Sequence, residues 1–196
     1  MTYVDTFELE GFIRSTITAD TAEIAAAGLA AESAINAYCQ RVFTVPTTAT
    51  ARTFVANSWD LLRVHDIANT TNLVIVNDGV TLSASDYQLE TSPGTTSQIG
   101  VDGRTWPWTY IRILSGHWAR DTYGEALVSV TARWGWPAVP DEVILATKLL
   151  ARDYLLARDT SFGIVQVGDF SRRIAANGVV ADLLAPLRRV EAFGIG

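Results

Sequence analysis

The chain has 196 residues, 48% of them hydrophobic and 6 of them tryptophan, which is enough apolar mass for a substantial core and too much for a disordered chain. With 21 acidic against 15 basic residues the net charge is -6, which argues against an independent DNA binder, because sequence-independent affinity comes from lysine and arginine displacing counterions from phosphates. The single cysteine, Cys39, excludes an intrachain disulfide and a cysteine-built metal site, and no run reaches the roughly 18 apolar residues of a membrane span.

Residues 1–43 carry helical spacing. Asp5 with Glu8, and Asp20 with Glu23, stand three apart as in a capping box, where the cap and the third residue satisfy each other's backbone N–H groups. Leu9, Phe12 and Ile13 form a short apolar patch, and Ile24, Ala27, Ala31, Ile35 and Tyr38 a longer stripe, so two helices are expected. The second is dense in alanine and contains Gly28; small side chains admit a close partner helix, at a cost of about 1 kcal/mol for the glycine. Cys39 falls late on this helix and reads as a small buried hydrophobe. The N-terminus lacks the basic and apolar segments of a signal peptide, so the chain is expected to act in the cytoplasm or in a particle assembled there.

From about residue 50 the period changes to two, with strands expected at 52–55, 61–65, 73–76, 87–90, 109–114 and 126–134. Asn77-Asp78-Gly79 signals a hairpin, since Asp-Gly accepts the positive φ of a primed turn. Residues 91–103 hold a proline, three glycines and few apolar anchors, and are expected to form a long mobile loop. Gly94, Gln98, Asp102 and Arg104 on this loop would face a channel or a neighbouring copy, or else decorate a plain solvated hairpin tip. In the last strand Val128, Val130, Ala132 and Trp134 alternate with Ser129, Thr131 and Arg133, the pattern of a strand burying one face. Pro137 and Pro140 then end the ladder.

Pro140, Asp141 and Glu142 suit a helix N-terminus, and a helix is expected over 141–159. Asp141, Lys148, Arg152 and Asp159 share one line on it, leaving an apolar arc of Val143, Ile144, Leu150, Tyr154 and Leu155 wider than one packing face requires. The excess would meet either other elements of the same chain or another subunit. Beyond residue 160 an apolar, glycine-punctuated stretch carries Phe162 and Phe170, followed by Arg172 and Arg173. A final helix from about residue 179 would end in Arg188 and Arg189, cations favourable near a helix C-terminus. These arginines read as a solvated face or as a dock for an acidic neighbour. Lys148 is the only lysine among the 15 basic residues; arginine suits bidentate interface pairs, and the bias also follows from a GC-rich genome.

Catalytic chemistry is poorly provided for. His65 alternates outward beside Arg63, and His117 sits at an expected turn; neither has a metal-site spacing, and no Gly-x-Ser-x-Gly elbow or phosphate-cradling Gly-x-x-x-x-Gly-Lys is present. No catalytic, metal or cofactor residues are assigned, and a small hydrolase is the weakest reading. Trp106, Trp108, Trp134 and Trp136 admit two readings: an exposed stacking platform, as in a β-rich virion or surface binding module, or plugs at the end of a sheet core.

Several segments, in order, resemble the head-tail connector, or adaptor, proteins of long-tailed bacteriophages. Asn77-Asp78-Gly79-Val80 with Ser85-Asp86-Tyr87-Gln88-Leu89 is similar to the family's strand, Asp-Gly turn and Asp-Tyr-x-Leu continuation. Trp106-Pro107-Trp108-Thr109-Tyr110-Ile111 resembles its Pro-aromatic-Thr-x-Ile strand, and residues 126–159 its strand, Trp-Gly-Trp-Pro corner and long helix. Arg158-Asp159-Thr160-Ser161-Phe162-Gly163 and Leu183-Leu184-Ala185-Pro186-Leu187-Arg188-Arg189 are similar to its post-helix loop and its C-terminal Leu-Leu-x-Pro-x-Arg-Arg. The resemblance implies a structural virion protein and no enzyme: a twelve-fold ring of identical copies under the portal, bound on the tail side by a head-completion or stopper protein, extending the channel through which double-stranded DNA passes unbound. The implied location is the neck of the virion, reached by assembly in the host cytoplasm. The expected fold class is α+β, a small helical bundle of the N- and C-terminal helices (1–48 and 137–196) with an antiparallel β region inserted at 49–136. Phe162, Phe170, Arg172, Arg173, Arg188 and Arg189 are the candidate portal or neighbour-subunit contacts.

Overall fold

A computed structural model describes residues 2–14, 18–121, 123–158 and 178–189. The fold is α+β, and its packing divides into two compact units: Met1–Phe43 with Val139–Gly196, and Thr44–Ala138.

The helical unit holds α1 (Thr6–Arg14), α2 (Thr21–Cys39), α3 (Asp141–Arg158) and α4 (Gly178–Leu184), the last followed by a 3-10 turn at Ala185–Leu187. α2 begins with the expected capping box: Glu23 N–H donates to Asp20 Oδ1 at 2.8 Å, and Asp20 N–H to Glu23 Oε2 at 3.1 Å. At α1 the box does not form. Asp5 Oδ1 accepts from Phe7 N–H at 2.8 Å, and the Glu8 carboxylate instead binds Lys148 Nζ at 2.5 Å, an ion pair between α1 and α3 that outcompetes a local cap. α2 packs against α1 and α3, and α4 against α3. The reason for Gly28 is visible here, because a Cβ at that position would come within 2.8 Å of Leu9 Cδ2. On α3 the buried face is Val143, Ala146, Thr147, Leu150, Ala151 and Leu155, while Ile144 and Tyr154 of the expected arc are only half-buried.

The first residues are strapped onto this unit. Tyr3 N–H donates to Glu32 Oε1 at 2.6 Å, its hydroxyl donates to Asn36 Oδ1, and Phe43 N–H donates to the same hydroxyl at 2.9 Å. Burial pushes the Tyr3 hydroxyl up to about 12, and burial likewise pushes the Cys39 thiol up to about 12.

The β unit is a six-stranded antiparallel sheet of β1 (Thr50–Phe54), β2 (Leu61–Asn77), β3 (Val80–Thr81), β4 (Tyr87–Glu90), β5 (Trp108–Ile113) and β6 (Val128–Trp134), in the order β1-β6-β2-β5-β4 with β3 on β2. β6 alternates buried and half-buried residues along its whole length, as its sequence predicts. The expected strands at 61–65 and 73–76 are one continuous strand, β2, and that strand turns back on itself. Seventeen residues drawn straight would span about 55 Å. Yet Trp118 N–H donates to Trp59 O at 3.0 Å while the next residue, Ala119, donates to Asn77 Oδ1 at 2.8 Å, so the two ends of β2 lie within about 10 Å of each other.

The bend falls at the register shift between Arg63 and Ile67, where β2 passes from β5 to β6; the Asn69-Thr70-Thr71-Asn72 cluster is a bulge against β6, where Thr71 N–H donates to Asn69 Oδ1 at 3.0 Å and Asn72 takes φ 59°. Asparagine tolerates this left-handed conformation better than other side chains. The first part of β2 pairs β5 from Leu61↔Arg112 to Ile67↔Trp108, and the rest pairs β6 from Ile67↔Trp134 to Asn77↔Val128. The core lies between: Leu62, Val64, Ile111 and Ile113 with Ile75, Val128, Val130 and Ala132 form one buried cluster, closed by Trp118 and Trp134. The Asp78-Gly79 turn has φ 49° and 78°, the primed hairpin expected.

Candidate functional site

The residues singled out as channel or neighbour contacts on the β unit lie on a folded arm rather than a loose loop. Residues 91–106 form two successive turns, with bridges Ser92↔Thr95 and Ile99↔Thr105 and backbone bonds from Gly100 to Arg104 O, Gly103 to Gly100 O and Trp106 to Gln98 O at 2.9, 3.0 and 2.7 Å. The sequence reading missed this because every tie is local polar chemistry without periodicity. Asp102 Oδ1 accepts from Arg104 N–H at 3.1 Å and Trp106 Nε1–H at 3.3 Å, and its carboxylate lies 3.6 Å from Arg104 Nε. The Arg104 N–H and then the Trp106 indole hold its carboxyl below the usual aspartate range. Gln98 Nε2 donates to Ala68 O at 3.3 Å, and Gly94 N–H donates to Glu90 Oε2 at 2.7 Å. Of the four candidates, Asp102 and Arg104 meet directly; Gln98 and Gly94 pin the arm to β2 and β4.

At the base of the arm, Glu90 is fully buried, and four donors reach it. Arg112 donates from Nε to Oε1 at 2.7 Å and from Nη2 to Oε2 at 3.3 Å, joined by Gln88 Nε2 at 3.0 Å and Gly94 N–H. Arg112 Nη1 also binds Asp60, so one guanidinium bridges two carboxylates. The Arg112 hydrogen bonds outweigh burial and hold the Glu90 carboxyl below the usual glutamate range. The arm therefore projects its apex, with Ile99 and Val101 exposed, from an ionically locked root.

In the helical unit the C-terminal candidates divide. Phe162, Phe170, Arg172 and Arg173 lie outside the described residues. Arg188 and Arg189 do not end the final helix as expected; α4 stops at Leu184 and the arginines follow the 3-10 turn, because Pro186 has no N–H with which to continue α-helical bonding. The exposed Arg188 guanidinium stands 5.3 Å from the centroid of the Tyr38 ring, and Arg189 N–H donates to Cys39 O at 2.9 Å. The pair thus sits at the C-terminal end of α2, two residues from which Arg41 also lies.

The tryptophans divide differently from the platform reading. Trp134 and Trp136 are buried, Trp134 Nε1 donating to Thr50 O at 2.7 Å and Trp136 Nε1 to Asp66 Oδ2 at 3.2 Å. Trp106 stands 4.9 Å from Trp136 between centroids, so these rings plug the sheet end and present no open stacking face. The exposed indole is Trp59, 63% accessible, which the sequence reading passed over. Its signal was faint: a lone large aromatic in the turn-rich Asn57-Ser58-Trp59-Asp60.

The two histidines are separate. His65 packs tilted against Phe54 and edge-on against Trp134 at centroid distances of 5.4 and 6.0 Å, and His117 edges onto Trp59 at 5.3 Å. Among the described residues, no three His, Cys, Asp or Glu side chains are placed to hold a metal ion, and no helix is long and apolar enough to cross a membrane.

No protein-family model matches the sequence, and none of the curated proteins matches it. Solved structures do. One chain from the neck of an empty gene transfer agent particle computed with C6 symmetry is 18% identical with TM-score 0.60, over 98% of this chain and 92% of that one. Another, from the neck of the native particle computed with C12 symmetry, is 17% identical with TM-score 0.55, over 99% and 96%. A third, from the virion of the native particle, is 19% identical with TM-score 0.58, over 98% and 92%. The likeness is one of fold, and it takes in both units.

Proposed function

We propose that this chain is a structural subunit of a phage-like neck, an adaptor whose copies form a ring beneath the portal and link the capsid to the tail. The observation that carries the reading is the fold likeness, spanning 98% of the chain, to a chain from a neck solved with rotational symmetry. The order of segments resembling the adaptor family supports it independently. In this reading the ring is twelve-fold, bound by the portal above and by a head-completion or stopper protein below. The helical domain, 1–48 and 137–196, carries the inserted β region, 49–136. The protein has no catalytic task; it resides in the virion neck after assembly in the host cytoplasm.

The net charge of -6 suits a conduit for DNA, since a lumen that repels phosphates weakly lets the duplex slide without salt-dependent trapping. The folded arm with Gly94, Gln98, Asp102 and Arg104 is the candidate lumen or neighbour contact, and Arg188 and Arg189, with Phe162, Phe170, Arg172 and Arg173, the candidate portal or neighbour contact. The test is to mix the purified chain with its portal and image the product by electron microscopy. Rings capping the portal are expected, and a neck that assembles complete without this chain would refute the reading.

A further inference from the structure

Resting on that ring reading, we infer that the Trp59 end of the β unit is the surface on which a second copy docks, and that it receives the arginine-bearing end of that copy's helical unit. Trp59, Val80, Leu114 and Tyr123 are all exposed there, and Tyr123 is 96% accessible. Scattered apolar residues are ordinary on a surface, whereas a group of them with tryptophan, tyrosine and arginine has the composition of an interface centre. Hydrogen bonds bring them to one end of the sheet. Trp118, itself buried, donates its backbone N–H to Trp59 O and its indole N–H to Asp60 O at 3.0 Å each; Leu114 N–H donates to Asp86 O, and Asp78 N–H to Leu127 O, at 2.7 and 3.0 Å.

The group is also ordered in advance. The Arg120 guanidinium lies 5.2 Å from the Trp59 ring centroid on one side and His117 packs its edge against the same ring, while Asp121 Oδ2 accepts from Tyr123 N–H at 2.6 Å and Glu125 N–H at 3.3 Å. The Trp59 ring and the backbone that carries Tyr123 are thus already held in place and lose little freedom on binding. Around them stand Asp78, Asp86, Asp121 and Glu125 against Arg120, with Asp60 already paired to Arg112, a rim that repels phosphate and attracts a basic protein surface. The chain carries the matching surface itself, in the exposed Arg188 with the half-buried Arg41 and Arg189 beside it at the end of α2. A contact between two unlike surfaces is heterologous; it repeats from copy to copy and closes into a ring when the rotation fits.

The test titrates the full-length chain onto its purified portal and counts rings by electron microscopy. Trp59→Ala is expected to need about 30-fold more protein for half-occupancy, the size of an interface hot spot. Tyr123→Ala, at a side chain too exposed to matter for folding, should shift it in the same direction. Glu125→Arg and Arg188→Glu should each prevent assembly, and the chain carrying both should recover it. Rings formed by Trp59→Ala and Tyr123→Ala at the wild-type concentration would overturn the docking surface and leave the neck reading standing. A doubly reversed chain no better than either single variant would overturn the occupant named here. A wild-type chain that forms no rings at all would remove the neck reading, and this inference with it.

Discussion

In the β unit the most buried acid, Glu90, is ionised and held by an arginine, whereas in the helical unit the buried titratable groups, Tyr3 and Cys39, are neutral, held by packing and, for Tyr3, by uncharged hydrogen bonds to Asn36 and Phe43. The difference follows from what each unit must brace. The arm at residues 91–106 has little apolar mass to anchor it, so its root needs directional, charge-assisted bonds. Helices lying as close as α1 and α2 at Gly28 are set by volume, and a charge between them would have no partner. Acid therefore weakens the β unit as it neutralises Glu90, and relieves the helical unit as it neutralises Glu32.

All six tryptophans lie between residues 59 and 136, inside the β unit, so indole fluorescence reports that unit while ellipticity at 222 nm follows chiefly the helices. The largest effect is expected from Trp136→Ala, where loss of a fully buried indole costs about 3–5 kcal/mol. The fluorescence melt should fall while the helical melt stays; equal shifts in both would mean that the units unfold together, and the comparison would collapse. Gly28→Leu attacks the opposite unit, forcing a side chain against Leu9 at about 1–3 kcal/mol, with the helical melt moving first.

Glu90→Gln keeps the shape and removes the charge, at about 1.5–3 kcal/mol near neutral pH, measured by denaturant titration followed by fluorescence. The pH limbs sharpen the point in the wild-type chain. A depressed carboxyl stabilises above its unfolded value and loses that contribution as pH falls through the folded one, so the fluorescence transition should weaken below about pH 4.3. Glu32, raised chiefly by burial, works the other way and favours the helical unit as acid neutralises it. Tyr3 and Cys39 have raised values, so their contribution is full below their ordinary values, about 10 and 8.5, and is lost as pH climbs toward about 12. Acid should therefore be felt first in fluorescence, while alkali reaches both units, through Tyr3 and Cys39 in one and the burial-raised Tyr87 in the other; a helical melt that weakens first in acid would contradict the assignment. The smallest effect is expected for Asp20→Ala, about 1 kcal/mol from the lost cap, seen as a lower helical melting temperature with no change in fluorescence.

What could be read from residues was whatever is periodic or local. The alternation in 128–134, the Asp78-Gly79 turn and the Asp20 to Glu23 spacing each encode their own geometry within a few positions, and the α+β class follows from the change of period near residue 50. The continuity of β2 was hidden because Asn69 and Asn72 look like an ordinary break between two strands, and only β6, paired with Ile67 and Asn69 before the bulge and with Val74 to Asn77 after it, reveals one strand. Glu90 shows the same limit: a glutamate at a strand end reads as solvated until Arg112, twenty-two positions away, is brought beside it. For the candidate contacts, the sequence placed Asp102 and Arg104 on the same excursion and missed that they brace it; of its two readings for the tryptophans at proline corners, core plugs are what Trp134 and Trp136 prove to be, while the exposed Trp59 was passed over.

The helical unit is assembled from two stretches of chain separated by the whole β unit, and that has a consequence for synthesis. On a ribosome, α1 and α2 emerge long before α3, and the face of α2 that packs against α3 must wait, uncovered, while the continuous Thr44–Ala138 segment is made and can fold on its own thread. Until α3 arrives, the nascent polypeptide is a finished sheet trailing an unfinished helix pair, the stage at which a chaperone would find most to hold.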